Sequence, residues 1–176
     1  QNVNFTMIKY RDGSFLTEFL GRTSNNISDV NNVLQQRFPT GNVKVISRDK
    51  RNIGGRSYQQ ALLNGSISID DSGILSLPNF LSPNEIKNQF AEYCKQFGLT
   101  MNKFEINQQI TSKGHQVIPV IFHAVGSKDA LLNLLNRIIE ANLNVNVVKI
   151  VFITYDVNLN SNKIKLILNM EIYNQM

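Results

Sequence analysis

Between Lys163 and Tyr173 the chain alternates. Ile164, Leu166, Leu168, Met170 and Ile172 share one parity, and Lys163, Lys165, Asn169 and Glu171 share the other. Successive strand side chains point to opposite faces, so this pattern requires an antiparallel strand with one covered face and one wetter face. The cover is legible upstream. Ser127 opens a helix over Lys128–Leu143 carrying Leu131, Leu134, Leu135, Ile138 and Ile139 on one broad face. Ser82-Pro83-Asn84-Glu85 is a capping box: Ser82 can accept from the Glu85 N–H, Glu85 can reach back, and Pro83 needs no N–H at the first helical position. That second helix runs Pro83–Phe97 with Ile86, Phe90, Tyr93, Cys94 and Phe97 inward, and Gly98 stops it. Strand-like runs follow at Leu99–Ile106, Gln116–Val125, Val145–Val157 and Lys163–Tyr173, with an Asn-rich turn at Asn158–Asn162. The order is αββ twice, which predicts a two-helix, four-stranded sandwich over residues 81–176.

Residues 1–80 read as an α/β extension of uncertain plan, compatible with a third helix-then-strands unit. Asn2–Tyr10 alternates weakly, and Asp12-Gly13 marks a turn. Ser28-Asp29 is read as the cap of a helix carrying Val30, Val33, Leu34 and Phe38, ended by Pro39-Thr40-Gly41. Val43–Ile46 reads as a short strand and Arg48–Arg56 as a polar basic loop. A hairpin is expected from Ser66 to Leu77 around Asp70-Asp71-Ser72-Gly73.

Charged residues make up only 18% of the 176, and net charge is +5, which permits an acidic partner or a membrane surface but requires neither. Asn carries much of the polarity instead, as an AT-rich genome dictates, so the sequons at Asn4, Asn26 and Asn64 are expected by chance. The single cysteine, Cys94, excludes an internal disulfide and reads as a buried small hydrophobe. No run approaches the ~20 apolar residues that cross a bilayer. The chain starts at Gln, so it reads as cut from something longer, and the removed part could include a membrane anchor.

Candidate chemistry is sparse. His115 and His123 are too few for a metal shell of three or four soft or imidazole ligands. Asp70 and Asp71 are adjacent, so their side chains diverge and turn chemistry accounts for them. No Gly-x-Ser-x-Gly elbow surrounds Ser57, Ser66 or Ser127. No catalytic, cofactor or metal residue is therefore assigned. The one basic cluster is Arg48, Lys50, Arg51 and Arg56 around Gly54-Gly55, which lacks the Gly-Lys-Ser/Thr of a Walker loop. It supports an alternative reading as a nucleic-acid-binding module, with Phe104, Phe122 and Phe152 as the aromatics on the candidate central strands. Ile150 and Phe152 oppose Val151 and Ile153, more apolar surface than one helix layer covers, so these four are the interface candidates.

Ile118–Ser127, followed by Leu131, Leu134, Leu135 and Asn136 and later by Leu166–Tyr173, resembles the PilO-type periplasmic domain of type IV pilus assembly proteins. The resemblance covers residues 80–176; Lys128 stands where the family often has Tyr. It implies a ferredoxin-like αββαββ fold and a non-enzymatic scaffold of a pilus or type II secretion inner-membrane complex. The implied partners are a second copy or a PilN-like protein, with no cofactor and no small-molecule substrate. The implied location is periplasmic, with anchoring by a segment outside this chain.

Overall fold

The computed structural model describes residues 3–67, 77–112, 114–154 and 163–173. Most of the expected Ser66–Leu77 hairpin, the Asp70-Asp71 pair and the Asn158–Asn162 turn lie outside them. The chain divides into two compact units: Gln1–Ser72 with Val151–Ser161, and Gly73–Ile150 with Asn162–Met176.

The first unit contains β1 (Val3–Arg11), β2 (Ser14–Gly21), α1 (Ser24–Arg37), β3 (Lys44–Ile53) and β4 (Arg56–Ser66). Its strands lie in the order β3-β4-β2-β1, with antiparallel pairing throughout. Asp12 and Gly13 join β1 to β2 with φ of 47° and 74°. Two positive φ values are what the primed hairpin turn needs, and Asp-Gly supplies them. Phe15 pairs with Gly65, where a Cβ would approach the Phe15 ring to 2.5 Å, so the aromatic ring occupies the space a side chain would take. The core is Phe15, Phe19, Ile27, Val43, Ala61 and Leu63, with Val30, Leu34 and Phe38 packed against it. The helix begins a turn before the expected Ser28-Asp29 cap. Thr23 Oγ1 accepts from the Asn26 N–H at 3.4 Å, and Asn26 Oδ1 accepts from the Thr23 N–H at 3.0 Å. The buried stripe is thus Ile27, Val30, Leu34 and Phe38, and Val33 is exposed.

The second unit contains α2 (Pro83–Gln96), β5 (Thr100–Ile106), β6 (Ile110–Ser112), β7 (His115–Gly126), α3 (Lys128–Glu140), β8 (Val145–Thr154) and β9 (Ile164–Tyr173). Residues 151–154 of β8 belong to the first unit. Strand order is β8-β9-β7-β5, with β6 also on β7. The Ser82 capping box forms as expected: Glu85 Oε2 accepts from the Ser82 N–H at 2.8 Å. Ile86, Phe90, Leu131, Leu134 and Ile138 are buried with Phe122, Leu166, Leu168 and Met170; Phe97 is half-buried. Pro119 explains why β5 and β6 are separate. β5 ends with Ile106 opposite Val120, and β6 resumes with Ile110 opposite Val117. Between them Pro119 has no N–H to offer, and its carbonyl accepts from the Asn107 N–H at 2.9 Å.

The two units repeat one connectivity. β1-β2-α1-β3-β4 has neighbours in the order β1-β2-β4-β3, and β5-β7-α3-β8-β9 has neighbours in the order β5-β7-β9-β8. Their irregularities coincide as well. The β1 bulge, between Phe5 and Met7, lies opposite Phe19, two residues before Gly21. The β5 bulge, between Met101 and Lys103, lies opposite Ala124, two residues before Gly126. A hydroxyl cap follows in each, Thr23 or Ser127. After each helix an asparagine takes positive φ, Asn42 at 46° and Asn142 at 45°, ahead of buried Val43 or Leu143. Bulges are retained features of a fold, so their coincidence marks a duplicated ββαββ unit.

These findings correct the expected ferredoxin-like αββαββ sandwich with an irregular extension. The described residues hold nine strands against three helices, in mostly antiparallel sheet. Residues 3–66 supply four long strands. The repeated element is ββαββ rather than αββ. The edge strand β3 is exposed along most of its length, so it carries no apolar alternation to read, and Arg48–Arg56 is a strand hairpin rather than a loop.

Candidate functional site

Two surfaces stand out, one apolar and one basic. The apolar surface is on α3. Its core stripe is Leu131, Leu134 and Ile138, each buried. A second stripe runs beside it: Leu132 is 40% exposed, Leu135 is half-buried and Ile139 is 75% exposed. The single broad face expected for this helix is therefore two faces, one turned outward. Spacings of three and four residues put Leu132, Leu135 and Ile139 on one line, the seam geometry of paired helices. Leu77, 89% exposed, adjoins the C-terminal end of this helix, where the Asn142 Nδ2 donates to the Leu77 carbonyl at 2.9 Å.

The expected interface stretch is more engaged. Val151 is buried, Ile150 and Phe152 are half-buried, and Ile153 is 36% exposed.

The basic surface is the β3–β4 hairpin. Arg48, Lys50, Arg51 and Arg56 are all exposed, but the register divides them. Arg48 pairs with Ala61 and Lys50 with Gln59, on the face that carries the α1 core. Arg51 pairs with Tyr58 and Arg56 with Ile53, on the opposite face. Gly21 pairs with Gln59, so the next residue, Arg22, stands beside Tyr58. Arg22, Arg56, Ser57 and Tyr58 line a hollow of about 350 Å³. Arg22 escaped the sequence reading because it lies far from the basic run, and Tyr58, two residues past Arg56, because no local signal marked it. Only β2–β4 pairing brings Arg22 to it, and β2 shows no clean alternation.

Of the aromatics considered for base stacking, two are engaged in the core of their unit. Phe122 is fully buried, and both Phe122 and Phe104 pack against Phe90 of α2, at centroid distances of 5.1 and 5.6 Å. Cys94 is buried too, and burial pushes its thiol up to about 11, far from a reactive thiolate. Among the described residues no three His, Cys, Asp or Glu side chains gather as a metal site.

His123 sits on β7 opposite Lys103 and near Lys165. Burial first, then the charges of Lys165 and Lys103, lower its pKa below 6.5. The unfolded chain therefore takes up this proton before the folded one. Stability from this site is complete above the unfolded pKa and declines as pH falls through it. Melting temperature should fall between about pH 7 and 5, and less so in His123→Gln. NMR titration that placed the His123 midpoint above 6.5 would contradict the assignment.

No protein-family model matches this chain, and no curated protein or solved structure matches it.

Proposed function

We propose that the protein is a non-enzymatic scaffold module that works by pairing with a second copy of itself through the outer face of α3. The observation that carries this reading is the Leu132–Leu135–Ile139 stripe, an exposed apolar line on a helix whose core contacts are already made. Burying apolar area yields roughly 25 cal/mol per Å², and an isoleucine standing this far into water gains most of what its side chain can offer. Charge favours a two-fold antiparallel pairing. Lys128 and Asp129 lie at one end of the helix, and Arg137 and Glu140 at the other. In an antiparallel pair Lys128 of each copy comes near Glu140 of the other, while Arg137 lies on the far side of the helix over the Tyr93 ring at 5.5 Å. An isologous two-fold contact satisfies both Lys128–Glu140 pairs at once.

The wider setting we propose is the periplasmic part of a type IV pilus or type II secretion inner-membrane complex, with a PilN-like protein as the hetero-partner. It rests on the Ile118–Ser127 and Leu131–Asn136 resemblance. In the fold that segment is a strand closed by Gly126 and a helix capped by Ser127, whose Oγ accepts from the Ala130 N–H at 3.3 Å. No helix among the described residues is long and apolar enough to cross a membrane.

Sedimentation from about 1 to 100 micromolar is expected to show a reversible dimer, a range typical of modest interfaces. Ile139→Glu, and independently Leu132→Glu, should return a folded monomer with unchanged circular dichroism. Val33→Glu, on the exposed side of α1, should leave the dimer intact. A strict monomer at every concentration, or a dimer indifferent to Ile139→Glu, would sink the α3 interface.

A further inference from the structure

We propose that the hollow around Tyr58 is a binding site for a small phosphate ester, of the size of a nucleoside monophosphate. Two arginines, Arg22 and Arg56, line the hollow with one tyrosine, and a third, Arg51, shares that sheet face. Arg51 is the direct cross-strand partner of Tyr58 on β3, Arg22 flanks it from the end of β2, and Arg56 lies two residues before it on the same face of β4. Tyr58 is only 8% exposed although it lies near the hairpin end, which places its ring at the floor of the hollow.

Among the described residues these cations have no ion-pair partner. The ion pairs among the described residues are Arg11–Asp12, Lys103–Glu105 and Arg137–Glu140, so none involves Arg22, Arg51 or Arg56. Two described residues on this sheet face carry carboxylates. Asp49 lies opposite Gln60, beyond Arg51, and Glu18 is engaged by the Thr6 hydroxyl at 2.5 Å. Like charges gathered on one sheet face repel one another, and an anion bound between Arg22 and Arg56 relieves that repulsion. Arginine is suited to the task because its planar fork of donors matches phosphate oxygens two at a time. The Tyr58 hydroxyl makes no hydrogen bond with the described residues, so it remains as a further donor. A carboxylate occupies one guanidinium and leaves the other uncovered, whereas a phosphate monoester carries close to two charges and three acceptor oxygens. The volume of about 350 Å³ exceeds the phosphate group itself and falls in the range of small-ligand sites, leaving room for an organic moiety.

A nucleic-acid track fits the geometry less well. Backbone tracking needs cations strung along a groove. Here Arg48 and Lys50 turn to the α1 face, and Asp49 interrupts the row on the Tyr58 face. The charge is focused on one point.

Isothermal titration of the full chain with adenosine 5′-monophosphate, with inorganic phosphate, and with a single-stranded 15-nucleotide DNA would test this. Saturable one-to-one binding of the monophosphate is expected, and weaker binding of inorganic phosphate at the same site. Arg22→Gln and Arg56→Gln should each weaken it about tenfold, the loss expected for one charge-assisted pair. Tyr58→Phe removes only the hydroxyl and keeps the floor, so it should weaken binding by less. Lys50→Gln, on the other face, should change affinity less than about twofold. Absence of saturation, or equal losses in Lys50→Gln and Arg56→Gln, would overturn the site. DNA binding that excess monophosphate does not displace would overturn the small ligand in favour of a strand. Circular dichroism of each variant establishes that the fold is retained.

Discussion

Phe90→Ala is expected to destabilise the chain by about 3–5 kcal/mol, the range for removing a fully buried aromatic. Phe90 has no exposed surface and stands at the centre of an aromatic cluster. Its ring meets Phe122 edge-on at 5.1 Å and Phe104 at 5.6 Å, with Tyr93 at 6.5 Å on its own helix. Edge-to-face pairs add to the gain from burial. Truncation leaves a cavity walled by rings on two strands, and those strands are held in register by β5–β7 pairing, so they cannot close in to fill it. Phe90→Leu keeps most of the volume and should cost much less. Urea unfolding checks both. A cost below about 1 kcal/mol for Phe90→Ala would mean that α2 does not press on this sheet as described.

Asn144→Ala is expected to cost about 2–4 kcal/mol, from hydrogen bonding rather than volume. Asn144 is one of two buried polar residues among those described, and its side chain works as a clamp. Its Oδ1 accepts from the Leu81 N–H at 3.0 Å, and its Nδ2 donates to the Leu81 carbonyl at 3.2 Å and the Tyr173 carbonyl at 2.7 Å. It therefore ties the approach to α2 to the end of β9. The backbone reinforces the same join, with the Asn79 N–H donating to Asn142 O at 2.7 Å and the Asn144 N–H to Asn79 O at 3.2 Å. Alanine leaves three partly buried backbone groups without these partners, and each such orphan is costly. Asn144→Asp should also destabilise, since a carboxylate retains the acceptor, loses both donors and introduces a buried charge. Hydrogen exchange reads the mechanism directly: the Leu81 amide should lose protection in Asn144→Ala. Unchanged protection there would argue against the clamp.

The basic hairpin and the α3 stripe bear on function differently. Self-pairing needs only apolar area and complementary ends of a helix. The phosphate hollow needs side chains from separate strands held in register. They lie in different units of the chain, so substitutions in one should leave the other intact. An effect of Ile139→Glu on monophosphate binding would point to coupling between them.

Local order was legible wherever the signal was local. The Ser82–Glu85 box, the Pro83 start, the Gly98 stop, the Ser127 cap and the alternation of β9 each depend on residues within a turn or two, and each formed at its expected place. Cross-strand pairing made the remaining decisions, because it joins residues that no local period connects. β2 and β3 carry weak alternation, so their strand identity came from the partners beside them. The run from Arg48 to Arg56 is one cluster in sequence, and only the register split it into Arg48 and Lys50 on one face and Arg51 and Arg56 on the other. Arg22 entered the cluster through β2–β4 pairing across more than thirty intervening residues. Phe104 and Phe122 had the composition of a stacking surface until α2 set Phe90 over them. Helical periodicity placed Ile139 on an apolar face; which half of that face the sheet would cover depended on how α3 lay across β7 and β9. The sequence alone determined what each segment prefers to be, since propensity and capping act within a few residues. The tertiary structure decided which faces were covered and which charges met, since burial and electrostatics act between residues that only the fold brings together.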